Sequence, residues 1–364
     1  MKRSDYFLIV AVACLVLLGI LIITSVTSAI AQEKFGSPTF YLLRHLIYGL
    51  LPGLILGFIA YKIPLTRLKK WAPLLLLINL LLMVLVFVPI IGIKLGNARS
   101  WLDLGFTTLQ PSEPLKLIFV LYLASWLAAR MEKTKKDFSK TLAAFSAIIG
   151  IITLLLIFQP DVGTLGIIVV TGSLMYFLAN TPLRHTALIL FGITAGLIVL
   201  IKIAPYRLSR FSVLFNLDKD PMGVGYQIKQ ALIAVGSGGI FGTGLGMSVQ
   251  RFGYLPEPMA DSIFAVFAEE TGLIGGLMVI SLFLVIAWLG FKIAKNTKNN
   301  FEKLTALGII SWLSVQAIIN IGAMLKILPL TGVPLPFISY GGSALVAELT
   351  SIGILLNISK NTKL

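Results

Sequence analysis

The chain has 364 residues, 57% of them hydrophobic and 12% charged, with a formal net charge of +15 and a mean hydropathy of +0.95. This composition excludes an ordinary soluble domain and points to a polytopic membrane protein. One cysteine (Cys14) and two histidines (His45 and His185) exclude an intrachain disulfide and make a structural zinc site untenable.

Apolar runs of helix-spanning length recur near 6–30, 44–61, 72–93, 112–130, 142–158, 162–180, 185–204, 261–291, 304–325 and 338–358. The expected fold is therefore all-α, with about ten transmembrane helices in one integral membrane domain over 1–364. A long loop, about 205–260, joins the seventh span to the eighth. The first run is too long for a signal-peptide core and reads as a retained anchor. With the N-terminus inside, 18 of the 30 basic residues fall on inside segments, among them Lys69, Lys70 and Lys295. Both termini are thus expected to be cytoplasmic. The basic excess sets topology rather than marking a nucleic-acid partner.

The opposite face carries the polar irregularity. Loop 94–111 holds Asn97, Arg99, Trp101, Asp103, Gln110 and Pro111, and a short turn at 159–164 reads QPDVGT. Within the long loop, Gly225–Val235 has the pattern of a short amphipathic helix lying at the interface. The stretch 223–276 is rich in glycine and runs straight into the eighth span. Lipid excludes unpaired backbone polar groups, so this stretch must lie outside the hydrocarbon or line a wet cavity.

Ionisable groups at the ends of spans point to function, because burying them in lipid is costly. Glu113 and Lys116 are three residues apart on one helical face, which suits a structural ion pair as well as a cavity. Asp161, Glu269, Glu270 and Glu348 fall in the same half of their spans and are expected to surround one polar cavity with Arg99, Lys116 and Lys326. Asp261 stands at a helix start, where a carboxylate serves as an N-cap or as a catalyst. The positive end of the helix would lower its pKa and weaken it as a base. Asp218-Lys219-Asp220 has the spacing of a metal–nucleotide DxD pair but reads as a solvated turn before Pro221. Gly242-Thr243-Gly244-Leu245-Gly246 is not a dinucleotide fingerprint, since no strand–helix unit surrounds it. From these residues alone, an enzyme and a transporter of lipid-linked precursors are served about equally.

Five ordered segments break that tie: GNARSWLDLG…LQPSEPLK at 96–116, QPDVGT at 159–164, GYQIKQALIAVGSGGIFGTGLG at 225–246, YLPEPMADSIFA at 254–265 and LPFISYGGS at 335–343. Together they make the chain resemble the SEDS family (shape, elongation, division and sporulation) of peptidoglycan polymerases over nearly its whole length. The segment GLGMSVQRFGYLPE looks more like the division-type FtsW branch than the elongation-type RodA branch. The family usually has His-Thr-Asp-Phe where this chain has Met259-Ala260-Asp261-Ser262, so the aspartate is kept while its neighbours change.

The resemblance implies a glycosyltransferase that polymerises lipid II, with inversion, on the outer face of the bacterial cytoplasmic membrane. Asp261 matches the catalytic aspartate, while Glu113, Lys116 and Asp161 match polar residues of the central cavity. Arg99, Arg207, Arg210, Gln230 and Glu257 complete the expected substrate-binding set, with Arg99, Lys116, Arg207 and Arg210 the candidates to supply positive charge to the leaving lipid pyrophosphate. No cofactor is evident, although a divalent cation (Mg or Mn) is compatible with the chemistry. The expected partners are lipid II, lipid-linked glycan and membrane lipid, with a class B penicillin-binding protein transpeptidase and other divisome proteins, and no nucleic acid. A lipid-precursor flippase and a non-catalytic division scaffold are the competing readings.

Overall fold

A computed structural model of the protein describes residues 3–95, 98–131, 138–203 and 206–360. Asn97 and the basic loop 132–137 lie outside the described residues, as does the side chain of Arg207. The order of elements is α1 Arg3–Phe35, α2 Phe40–His45, a π turn Leu46–Leu50, α3 Leu51–Lys62 and α4 Leu65–Leu85. A small sheet of β1 Gly92–Leu95, β2 Ala98–Asp103 and β3 Thr108–Leu109 comes next. After it come α5 Ser112–Met131, α6 Phe138–Phe158, α7 Val162–Leu178, α8 Leu183–Ile203, α9 Tyr206–Phe215 and α10 Val224–Ser237. The chain closes with α11 Ile263–Asn296, α12 Asn300–Met324 and α13 Gly342–Lys360.

Among the described residues, eight helical stretches are long and apolar enough to cross a membrane, with α2–α3 counting as one from Phe40 to Lys62. Val162–Leu178 and Leu183–Gly196 are shorter apolar helices in the order expected for the sixth and seventh spans. The third span departs from the sequence reading. Its helix is Leu65–Leu85 rather than 72–93. Lys69 and Lys70 are taken into its first turns, where long basic side chains can reach back towards the interface. Its far end stops short because Pro89 denies the helix a backbone donor, and the apolar residues after it turn into β1. The sheet is the departure from an all-helical fold; β2 pairs antiparallel with both β1 and β3.

The π turn before Pro52 has the same cause as other prolyl distortions, since the ring supplies no amide to the preceding turn. Beyond it, Gly49, Gly53 and Gly57 form a small-residue stripe against Gly342, Leu345 and Leu349, bringing α3 close to α13. α5, α12 and α13 form the enclosed centre of the bundle, with Trp312 and Phe119 fully buried. The outer faces of α3 and α4 stay apolar and exposed, as lipid contact requires. The long connection between α8 and α11 is not an open loop, because α9, a single 3-10 turn at Leu217–Lys219 and α10 occupy its first half.

Candidate functional site

The helix that should begin at Asp261 begins at Ile263, and Asp261 does not cap it; Ser262 stands at the N-cap position without a capping side-chain bond. Asp261 is instead fixed through its backbone. Asn320 Nδ2 on α12 donates to the carbonyls of Asp261 and Val333, both at 2.8 Å. Ser339 Oγ donates to Ala260 O at 2.6 Å, and Tyr340 N donates to Met259 O at 2.9 Å. The amides of Ala260 and Ser262 both close onto Glu257 O, through a turn in which Glu257 takes a φ of 48°. The segment 257–262 is therefore clamped between α12 and the 329–341 connection.

The carboxylate itself is held loosely. Gln227 Nε2 on α10 lies 3.3 Å from each of its oxygens and donates more closely, at 2.9 Å, to Ser262 Oγ. Ser262 Oγ is 3.5 Å from Asp261 Oδ1. The Cβ position of Gly332 is 3.9 Å from Asp261 Oδ2. Burial, reinforced by the negative charge of Glu257, pushes the Asp261 carboxyl up to about 6, against the weaker pull of the Gln227, backbone and Ser262 bonds. This reverses the expectation that the helix end would lower it. Desolvation outweighs a dipole that the uncapped helix start directs elsewhere.

Among the described residues, the other expected acids share no hydrogen bond with Asp261 and fall into separate hydrogen-bonded sets. Lys116 Nζ pairs with Glu113 Oε2 at 2.8 Å, donates to Gln316 Oε1 at 2.9 Å and lies over the Trp312 ring. Gln316 Nε2 donates to Glu348 Oε1 at 3.3 Å and to Pro334 O at 3.0 Å, while Phe337 N donates to Glu348 Oε2 at 2.8 Å. Asp161 is the N-cap of α7, accepting from Thr164 N at 3.0 Å and from Ser112 Oγ at 2.9 Å. Glu269 accepts from Ser248 Oγ and Val249 N, and Glu270 from Ser25 Oγ on α1. Asp220 accepts from Val224 N at the start of α10, so the DxD-like residues form a structural turn.

Among the basic candidates, Arg99 on β2 donates to Phe87 O at 3.4 Å. Arg210 on α9 donates to Leu330 O at 3.3 Å, two residues before Gly332. It also lines a largely apolar cavity of about 530 Å³ between α6, α7 and α8. Gln230 is half-buried on α10, one turn beyond Gln227. Gln227 was not singled out in the sequence, although a signal was present: it falls within the helical stripe of Gly225, Ile228, Ala231 and Ala234, while Gln230 falls at its edge. Gln316, Asn320 and Ser262 were likewise missed; each is an unremarkable polar residue until the fold brings Gln316 and Ser262 to a carboxylate and Asn320 to the backbone carbonyl of Asp261.

The family model described as Cell cycle protein, for FtsW, RodA and SpoVE, matches residues 5–364. The chain belongs to this family. It is 39% identical to the probable peptidoglycan glycosyltransferase FtsW of Coxiella burnetii, covering 99% of this chain and 97% of that one. Stage V sporulation protein E of Bacillus subtilis is 37% identical, with 99% and 98% covered. Among solved structures, a chain of a peptidoglycan synthase complex that coordinates polymerization and crosslinking superposes with a TM-score of 0.79 at 26% identity, with 99% of each chain covered. The rod shape determining protein RodA of Thermus thermophilus superposes at 0.72 and 26% identity, covering 100% of this chain and 98% of its own. The FtsW, RodA and SpoVE fold thus extends across the whole molecule, with Asp261 and its clamp inside the matched region.

Proposed function

We propose that this chain is a peptidoglycan glycosyltransferase of the division type, polymerising lipid II in the bacterial cytoplasmic membrane with both termini cytoplasmic and Asp261 on the opposite side. The observation that carries the reading is Asp261 itself. It is a buried carboxylate on a rigid backbone, with long side-chain bonds and a pKa close to the working pH of a general base. Full-length similarity to FtsW and stage V sporulation proteins supports the division branch over the elongation branch.

In this mechanism Asp261 takes the proton of the acceptor sugar's 4-hydroxyl as that oxygen attacks the anomeric carbon of the donor. The bond from that carbon to the lipid pyrophosphate breaks with inversion, and the pyrophosphate leaves with the electron pair. Gln227 steadies the ionised carboxylate before the transfer. Lys116 is already neutralised by Glu113, which leaves it poorly free for the leaving group. Arg210 has donors beyond its bond to Leu330 and is tied to the loop beside Asp261, so it is the stronger pyrophosphate ligand. Arg99 and Arg207 are secondary candidates. Among the described residues, no three His, Cys, Asp or Glu side chains gather to hold a metal ion. A Mg or Mn ion therefore enters the proposal as a counter-ion of the substrate pyrophosphate. A class B penicillin-binding protein transpeptidase is the proposed partner, as the neighbouring synthase complex joins polymerization to crosslinking.

The test is polymerisation of labelled lipid II by the purified protein and its Asp261→Ala variant, with and without the cognate transpeptidase. Glycan ladders that require Asp261 are the expected result. Undiminished ladders from the variant would remove Asp261 as the base. No ladders under any condition would overturn the polymerase reading in favour of transport.

A further inference from the structure

The segment between α10 and Arg251 is built unlike a water-exposed loop. No charged residue occurs between Lys229 and Arg251. Ile240, Phe241, Leu245, Met247 and Val249 all point away from the protein, Phe241 being 82% exposed. The backbone of the same segment is bound to α11. Thr243 N donates to Glu269 O at 2.9 Å and Gly244 N to Glu270 O at 3.1 Å, while Leu273 N donates to Gly239 O at 2.9 Å and Ile274 N to Ile240 O at 3.3 Å. This strand-like exchange exists because α11 breaks at Gly272 (φ 69°, ψ −166°), a conformation that favours glycine. Gly242 approaches from the other side at a φ of 83°, so close that a Cβ at either residue would run into the opposing backbone.

The pairing fixes the depth of the segment. Lys292 lies over Trp288 near the far end of α11, the usual pairing at a membrane interface. From Lys292 back to Thr271 is about 21 residues, or roughly 32 Å of helix, close to the roughly 30 Å of a hydrocarbon core. Residues 239–244, bonded to 269–274, therefore lie at the other boundary of the bilayer. Their exposed apolar side chains continue the lipid-facing surface of Leu273, Ile274 and Leu277, and the hydroxyl of the exposed Thr243 among them donates to Glu269 O at 3.1 Å. On the protein side the polar groups are taken up internally, by Ser248 and Val249 on Glu269 and by Ser25 on Glu270. Arg251 closes the segment by reaching Ser25 O at 2.6 Å.

We infer that residues 239–249 form an interfacial membrane anchor, with Ile240, Phe241, Leu245 and Met247 among the acyl chains of the leaflet on the Asp261 side. The segment pins the start of α11, and with it the 257–262 clamp, at the level of the lipid headgroups. This inference does not depend on the chemistry assigned to Asp261.

The test uses the full-length protein alone in nanodiscs of phosphatidylethanolamine and phosphatidylglycerol. Nitroxides are placed by Phe241→Cys and Leu245→Cys in a Cys14→Ser background, with Leu277→Cys and Asp218→Cys as lipid and water references. Collisions with oxygen should exceed those with an aqueous nickel chelate at 241 and 245, as at 277, and should place both labels roughly 5–10 Å below the phosphates. At 218 the ratio should invert. Chelate-dominated collisions at 241 and 245 would overturn the inference and leave a protein partner as the cover. Low collision rates with both reagents would also overturn it, by showing the segment folded against the protein.

Discussion

Two buried acidic sites in this molecule are built in opposite ways. Around Lys116, the charged groups are tied closely to one another: Glu113 pairs with the ammonium, Gln316 bridges it to Glu348, and Glu348 receives a backbone amide as well. Around Asp261 the backbone is clamped by short bonds, while the carboxylate has only contacts of 3.3–3.5 Å. A buried charge with close partners holds helices together, and removing one partner strands another charge. A buried carboxylate with slack bonds and a fixed backbone keeps its lone pairs for a proton that arrives from outside.

The sharpest way to break this contrast is Asp261→Asn. It should cut lipid II polymerisation by about 10²–10⁴-fold, the usual contribution of a general base, without lowering the melting temperature in detergent. Next in size is Lys116→Met, which leaves Glu113 and Glu348 uncompensated. A loss of about 3–5 kcal/mol in unfolding stability is expected, with the Asp261 chemistry spared in whatever protein remains folded. If Lys116→Met instead abolished turnover in a fully stable protein, the two sites would not be separable.

The pH profile sharpens the comparison further. Asp261 must be ionised to accept a proton, so kcat/KM should fall as the pH drops through about 6. Gln227→Leu removes bonds that favour the ionised form and should move this acid limb to higher pH by about one unit, if those bonds are worth about 1.5 kcal/mol. Glu257→Gln acts in the opposite direction and by at least as much. Removing that neighbouring negative charge should shift the same limb to lower pH, and opposite shifts in the two variants would confirm the assignment of the limb to Asp261.

The spans were legible because hydropathy reports burial in lipid directly, and α1, α5, α12 and α13 fall close to where the apolar runs put them. The end of α4 was not, since residues 86–95 remain apolar after the chain has left the helix. Asp261 was legible from its motif, whereas its surroundings were not. Gln227, Asn320 and Ser339 lie 34, 59 and 78 positions away, and only tertiary packing brings them to the 260–262 turn. The hydrogen-bond partners of the other expected acids were not legible for a related reason. Side chains at similar depth on different helices find nearer partners than one another, as Asp161 does in Ser112 and Glu270 in Ser25.

The break at Gly272 divides α11 into a long membrane shaft and a short collar next to the Asp261 turn. Residues on both sides of that break, 269–270 and 273–274, are bonded to the same segment 239–244, so the collar is braced to the chain that lies at the membrane surface. With Asp261 as the proposed base and 239–249 as the inferred anchor, the site takes its height from the surface of the membrane and not from its thickness, so turnover should change little as the acyl chains of the surrounding lipid are lengthened.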